Sequence, residues 1–256
     1  IFIGPITLSL TNTFSTSSGD LHLSNSISGS GGLAKAGART LWLHAPNTYT
    51  GPTMINADSG IIALGAQSSL ASKVIQVGSG STLDVTASPA FTLGGGQVLG
   101  GAGTVAGGNV VIGPGATLLT GLNDNTVQTL TMSGSLAIQA GGTNRVVVNK
   151  TSTLSNNKVA GLASVQIGGT LVVVNIGNPL AAGDVMTLFE AANRTGSGFD
   201  SITPATPGPG LAWDTSTLLV DGNLRVKVWV KPPHTTITAR VTDHQVILSW
   251  PTGLGW

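Results

Sequence analysis

The residues with most to offer chemically are aromatic and sit close together: Trp42, His44 and Tyr49 share one short stretch of a chain that has five tryptophans and a single tyrosine. If Leu41 and Leu43 face a core, strand alternation places Trp42 and His44 outside on one face, with Tyr49 in the turn beyond. An outward indole beside a phenol presents flat area with a polar handle, which suits the face of a sugar ring. The same pattern also reads as cover for a lateral surface, with the indole packed under a neighbouring loop. Trp42, His44 and Tyr49 are the candidate ligand-binding residues on this reading.

Catalysis finds less support. Cleaving a glycosidic bond takes two carboxyl groups facing one cleft, roughly 5 to 9.5 Å apart. The acids are Asp20, Asp58, Asp84, Asp124, Asp184, Glu190, Asp200, Asp214, Asp221 and Asp243, spread along the chain so that no pair nominates itself. Lys35 and Arg39 lie near each other without acidic neighbours, so they read as a solvated edge and not as an elimination site. Four histidines, His22, His44, His234 and His244, show no metal-binding spacing, and with no cysteine a zinc site has no thiolate to draw on. The glycine runs at Gly94–Gly96 and Gly100–Gly103 lack the lysine and following helix of a phosphate cradle. No catalytic residue, cofactor or metal is expected.

The elements that must hold these residues are short strands. Apolar residues alternate with polar ones at Ile6, Leu8, Leu10; Leu21, Leu23; Leu41, Leu43; Ile75, Val77; Leu83, Val85; Leu130, Met132; and Leu136, Ile138, the period of a half-buried strand. Turn clusters rich in Gly and Ser separate them, and a Thr followed by Leu or Val closes the turn at Thr40, Thr82, Thr92, Thr104, Thr117, Thr129 and Thr170. Helices have almost nowhere to start, beyond one short turn at Ser68–Lys73. A strand is expected within Leu180–Ala192, at Val185–Phe189. Trp213 is expected to plug the end of a core, with Asp214 capping a turn. Repetition without a strict period points to a solenoid whose coils vary in loop length, each burying its face on its neighbours. A β-sandwich would give comparable strands, so patterning alone leaves that choice open.

Composition narrows the function classes. Charged residues make up only 8% of the chain, against about 25% in an average domain, so solvation falls to hydroxyls and amides. A net charge of +1, with 11 scattered basic residues, provides no footprint for nucleic acid. No apolar run approaches the ~18 residues that a membrane helix needs, and direct membrane insertion by this segment is not expected. No signal peptide opens the chain, its first residue is not Met and Trp256 comes just after a strand-like run, so the chain reads as a stretch of a longer one.

The segment GGLAKAGARTLWLHAPNTYTGPTMI, residues 31–55, resembles the autotransporter-associated β-strand repeat, whose usual form is GGLxKxGxGTLxLxGxNTYTGxTxV. The matches are Gly31, Gly32, Leu33, Lys35, Gly37, Thr40, Leu41, Leu43, Asn47 to Gly51 and Thr53; the departures are Arg39, Trp42, His44, Ala45 and Pro46. Residues 93–118 are similar to later coils of such proteins and residues 168–226 to the end of their repeat regions. The resemblance implies a parallel β-helix that assists export, with no catalytic residues of its own.

The expected fold is therefore all-β: a right-handed single-stranded parallel β-helix, or β-solenoid, ending in a short β-hairpin that starts another module. The expected divisions are a β-helix at 1–120, a β-rich cap region at 121–230, and a linker with an incomplete β module at 231–256. That hairpin is expected about the Asp243–His244 turn. The expected function is a non-catalytic passenger or scaffold segment of a secreted or outer-membrane-associated bacterial protein, exposed at the cell surface. Its translocator barrel or sorting module would lie outside this chain. A carbohydrate-binding adhesin that meets extracellular polysaccharide or surface glycans through Trp42 is the alternative, and a polysaccharide lyase or hydrolase the third.

Overall fold

The computed structural model describes residues 1–121, 123–231, 238–242 and 245–249. Its strands stack in parallel coils to form a β-solenoid of about 7 turns, with an antiparallel hairpin at the C-terminal end. Each coil contributes strands to long parallel ladders, one sheet of nine strands and one of eleven. The ten-residue strand Lys158–Ile167 is long enough to pair with both Thr129–Met132 and Ser135–Ile138, joining two faces of the solenoid in the larger sheet, and its register shifts between Val159 and Leu162 against Phe189–Gly196 on its other side.

Two facing columns of side chains form the core. On the nine-stranded sheet Leu33, Thr53, Ile75, Leu99, Leu118, Asn144 and Leu171 stand in register, one per coil, and each is at most 1% exposed. Opposite them stand Leu41, Ile62, Leu83, Val105 and Met132, equally buried. Each such aliphatic side chain contributes about 1.5–3 kcal/mol by leaving water, and it does so only because a neighbouring coil covers it. The alternating residues read from the sequence are inward as expected, except that Leu10 is 75% exposed, beyond the end of strand Ile6–Leu8.

The turn of residues 47–53 is a joint between coils. The side chain of Asn47 accepts a hydrogen bond from Ile27 N at 3.1 Å and donates to Ala45 O at 2.8 Å and Ser69 O at 3.3 Å, so one amide ties three coils. Gly31 and Gly51 stack where the chain passes closest to itself: a Cβ on Gly51 would stand 2.4 Å from the backbone of Gly31, and one on Gly31 would stand 2.1 Å from Leu10 O. Only glycine fits at those two positions.

Lys35 does not lie on a solvated edge. It points inward at 0% exposure, and its ammonium donates to Ala36 O at 2.9 Å, Gly37 O at 2.6 Å and Ser59 O at 2.6 Å, one acceptor for each of its three N–H bonds. Burial pushes its pKa down and the Asp20 carboxylate opposes that. Lys35 follows Leu33 at the strand period, so the geometry of the ladder turns it inward; Arg39, in the turn, is exposed. The expected helical turn at Ser68–Lys73 is also absent. Ser69–Leu70 is instead a short strand paired with Pro46–Asn47, an arrangement that puts Leu70 into the core.

The parallel ladder continues past residue 120 to Ser201–Thr203. A three-stranded antiparallel sheet, Val185–Thr187, Asn223–Val228 and Leu211–Asp214, then closes the end, with the one-turn helix Leu218–Asp221. Met186, Leu188, Phe189, Leu218, Leu224 and Val226 join the core, and Trp213 packs against it. The indole of Trp213 donates to Pro204 O at 2.8 Å, and Asp214 accepts from Ser216 N at 3.1 Å, so the plug and the capped turn are both present. The hairpin strands Thr238–Thr242 and Gln245–Ser249 pair antiparallel, while the Asp243–His244 turn between them lies outside the described residues.

Candidate functional site

The outer face of strand Thr40–Leu43 carries the candidate residues. The strand's first N–H, on Thr40, donates to the Asp20 carboxylate at 2.9 Å, and Leu41 and Leu43 anchor it inward at 0% and 1% exposure. Alternation then sends Trp42 out, half-buried, with His44 exposed two residues further along, as the sequence pattern requires.

The coil below adds a residue that the sequence reading did not select. His22 stands in register with Trp42 on strand Leu21–Leu23. Its ring lies parallel to the indole, with centroids 5.7 Å apart and planes inclined by 5°. The His44 ring lies parallel to the indole as well, at 5.9 Å and 4°. Nδ1 of His22 is 3.0 Å from Nε2 of His44, and their ring centroids are 5.3 Å apart at 7°. That centroid separation equals the N···N distance plus the two ring radii, so the imidazoles lie edge to edge in one plane. One nitrogen must donate and the other accept, so the contact holds while at least one ring is neutral at that nitrogen. Two Leu-X-Leu strands one coil apart, with His22 and Trp42 at X, were the signal for this pairing.

Tyr49 departs from expectation. It is not beside Trp42 on the surface but inside the solenoid at 0% exposure, its phenol 2.6 Å from Thr53 Oγ1, which in turn lies 2.5 Å from Ser72 Oγ. Burial pushes its pKa up, partly opposed by the Thr53 and Ser72 hydroxyls. The turn at Asn47 swings the chain inward, so the large ring fills the coil corner and the three hydroxyls satisfy one another. It offers nothing to a ligand outside.

On the other side of Trp42 the outward column continues in register through Ala63 and Asp84 to Ala106. A groove of about 280 Å³ opens there, lined by Trp42, Leu64, Asp84, Thr86 and Ala87. Asp84 accepts a hydrogen bond from Thr86 N at 2.9 Å, and among the described residues no cation pairs with it.

Most other carboxylates are committed to structure. Asp124, Asp184, Glu190, Asp221 and Asp214 pair with Arg145, Lys150, Lys158, Arg225 and Lys227. The Arg145 guanidinium holds Asp124 below the ordinary carboxylate range, and Ser216 N–H does the same for Asp214. Burial raises Asp184, but Ala181 N–H and Lys150 more than offset it. Asp221 lies far below that range, held first by Arg225 and then by Asn223 N–H. A general acid working near neutral pH needs a shift in the opposite direction. Among the described residues no three His, Cys, Asp or Glu side chains gather into a metal cluster, and no helix is long and apolar enough to cross a membrane; His234 and His244 lie outside the described residues.

Comparison with models of known protein families finds none that matches this chain, and a search of curated proteins finds no similar one.

Proposed function

We propose that this chain is a non-catalytic structural segment of a secreted or cell-surface bacterial protein, a stiff passenger that projects whatever module adjoins it and aids export by folding one coil upon the last. The observation that carries the reading is the in-register inner column from Leu33 to Leu171, which makes each coil a template for the next and depends on no single site. Two further features support it. The turn at residues 47–53, which carries part of the likeness to autotransporter-associated repeats, acts here as a coil joint, and hydrogen bonds lower the pKa values of Asp124, Asp184, Asp214 and Asp221.

The test is to excise one coil from the whole protein. Thr40, Ile61 and Thr82 occupy the same position on successive coils, so removing residues 61–81 sets Thr82 above Thr40 and shortens the rod by about 4.8 Å. A scaffold keeps its cooperative unfolding and still reaches the cell surface. Turnover of any member of a polysaccharide panel by the intact chain overturns the proposal, as does surface display abolished in a variant that still folds.

A further inference from the structure

We propose that the outer face around Trp42 is a saccharide-binding site, taking a neutral pyranose unit against the indole with its hydroxyls directed at Asp84 and Thr86. Three observations lead there. First, His22, Trp42 and His44 hold their rings parallel to within 7°, and the edge-to-edge imidazole contact at 3.0 Å fixes both histidines beside the indole. An indole backed by stacked imidazoles is preset, so its other face costs little entropy to bind against and matches the C–H face of a sugar ring. Second, the groove beside it has the volume of a single small unit, about 280 Å³, with Trp42 and Asp84 two coils apart, roughly 9.6 Å along the axis at the strand spacing. The intervening outward residue, Ala63, carries only a methyl group and lies covered at 1% exposure, so it forms floor beneath the neighbouring side chains and does not itself line the groove.

Third, the polar equipment is that of hydroxyl recognition. Asp84 spends one acceptor on Thr86 N and has capacity for O–H donors, and the Thr86 hydroxyl both donates and accepts. A carboxylate in the groove repels phosphate and uronate groups, which selects a neutral sugar over an acidic polysaccharide or a nucleic acid. Trp42 and Asp84 touch the ligand; His22 and His44 are positioning residues that hold the indole's flank.

The test presents the intact chain to an array of defined neutral, amino and uronic oligosaccharides, and follows the strongest neutral binder by tryptophan fluorescence and calorimetry. Binding to a neutral sugar is expected, with Trp42→Ala weakening it at least tenfold, Asp84→Asn weakening it severalfold, and uronic analogues binding more poorly than their neutral counterparts. Asp84→Asn retains the acceptor for Thr86 N and so keeps the fold, which leaves the question decidable if Trp42→Ala does not fold. No sugar bound at millimolar concentration, or binding within twofold of the parent in Asp84→Asn and in a folded Trp42→Phe, overturns the proposal.

Discussion

Replacing Thr53 by Val removes the central hydroxyl of the buried chain Tyr49–Thr53–Ser72 while preserving the side chain's shape. Tyr49 and Ser72 each touch Thr53, at 2.6 and 2.5 Å, and all three residues are 0% exposed. Thr53→Val therefore takes away the hydroxyl that both bond and leaves Tyr49 and Ser72 only the contact between their own hydroxyls, a loss of about 1–3 kcal/mol. Tyr49→Phe removes an end of the chain and leaves Thr53 bonded to Ser72, so it costs only about 0.5–1.5 kcal/mol. The double variant leaves Ser72 without either hydroxyl partner, so its loss is expected to depart from the sum of the two single losses. Guanidinium unfolding of the four proteins measures the cycle. A double variant that loses the sum of both single effects refutes the network, because independent sites add. The single tyrosine supplies a second readout, since the phenolate absorbance reports Tyr49 alone. Burial raises its pKa in the folded state, while the unfolded chain ionises near about 10. The contribution to stability is then present below the unfolded value and lost as pH rises through the folded one. Alkaline unfolding that begins above about pH 10 and weakens in Tyr49→Phe is expected; a phenol that titrates in the folded protein at the ordinary value contradicts the buried placement.

Gly51→Ala puts a Cβ 2.4 Å from Gly31 and is expected to cost ~1–3 kcal/mol by overpacking, whereas Gly94→Ala, whose Cβ would meet nothing nearer than 3.9 Å, stays within ~0.5 kcal/mol of the parent in thermal unfolding. Lys35→Met withdraws the three donors from Ala36 O, Gly37 O and Ser59 O but also removes a buried charge; the unmet acceptors outweigh that relief and unfolding shows a loss of ~1–3 kcal/mol. Asp221, lowered chiefly by Arg225, contributes stability that is present above about pH 4 and lost as pH falls below it. Asp221→Asn is thus expected to flatten the fall in melting temperature between pH 5 and pH 3.

Strand positions and their inward faces were legible in the sequence because they depend on a period of two within a few residues. The turn-closing threonines Thr40, Thr82, Thr104, Thr117, Thr129 and Thr170 each begin a strand, since a polar residue leaving a turn and an apolar one entering the core is a local requirement. That Trp42 and His44 share a face follows from the same alternation. What lies above or below a residue was not legible. The coil step is 20 residues from Leu21 to Leu41 but 27 from Thr104 to Thr131, and turns of varying length absorb the difference without leaving a periodic mark. Only stacking decided that His22 meets Trp42, that Asp84 faces it across Ala63, that Lys35 finds three carbonyls inside, and that Tyr49 turns inward to Thr53. Each of those placements is set by the register between coils, which is fixed by burying all the inner columns at once and so belongs to no local stretch of chain.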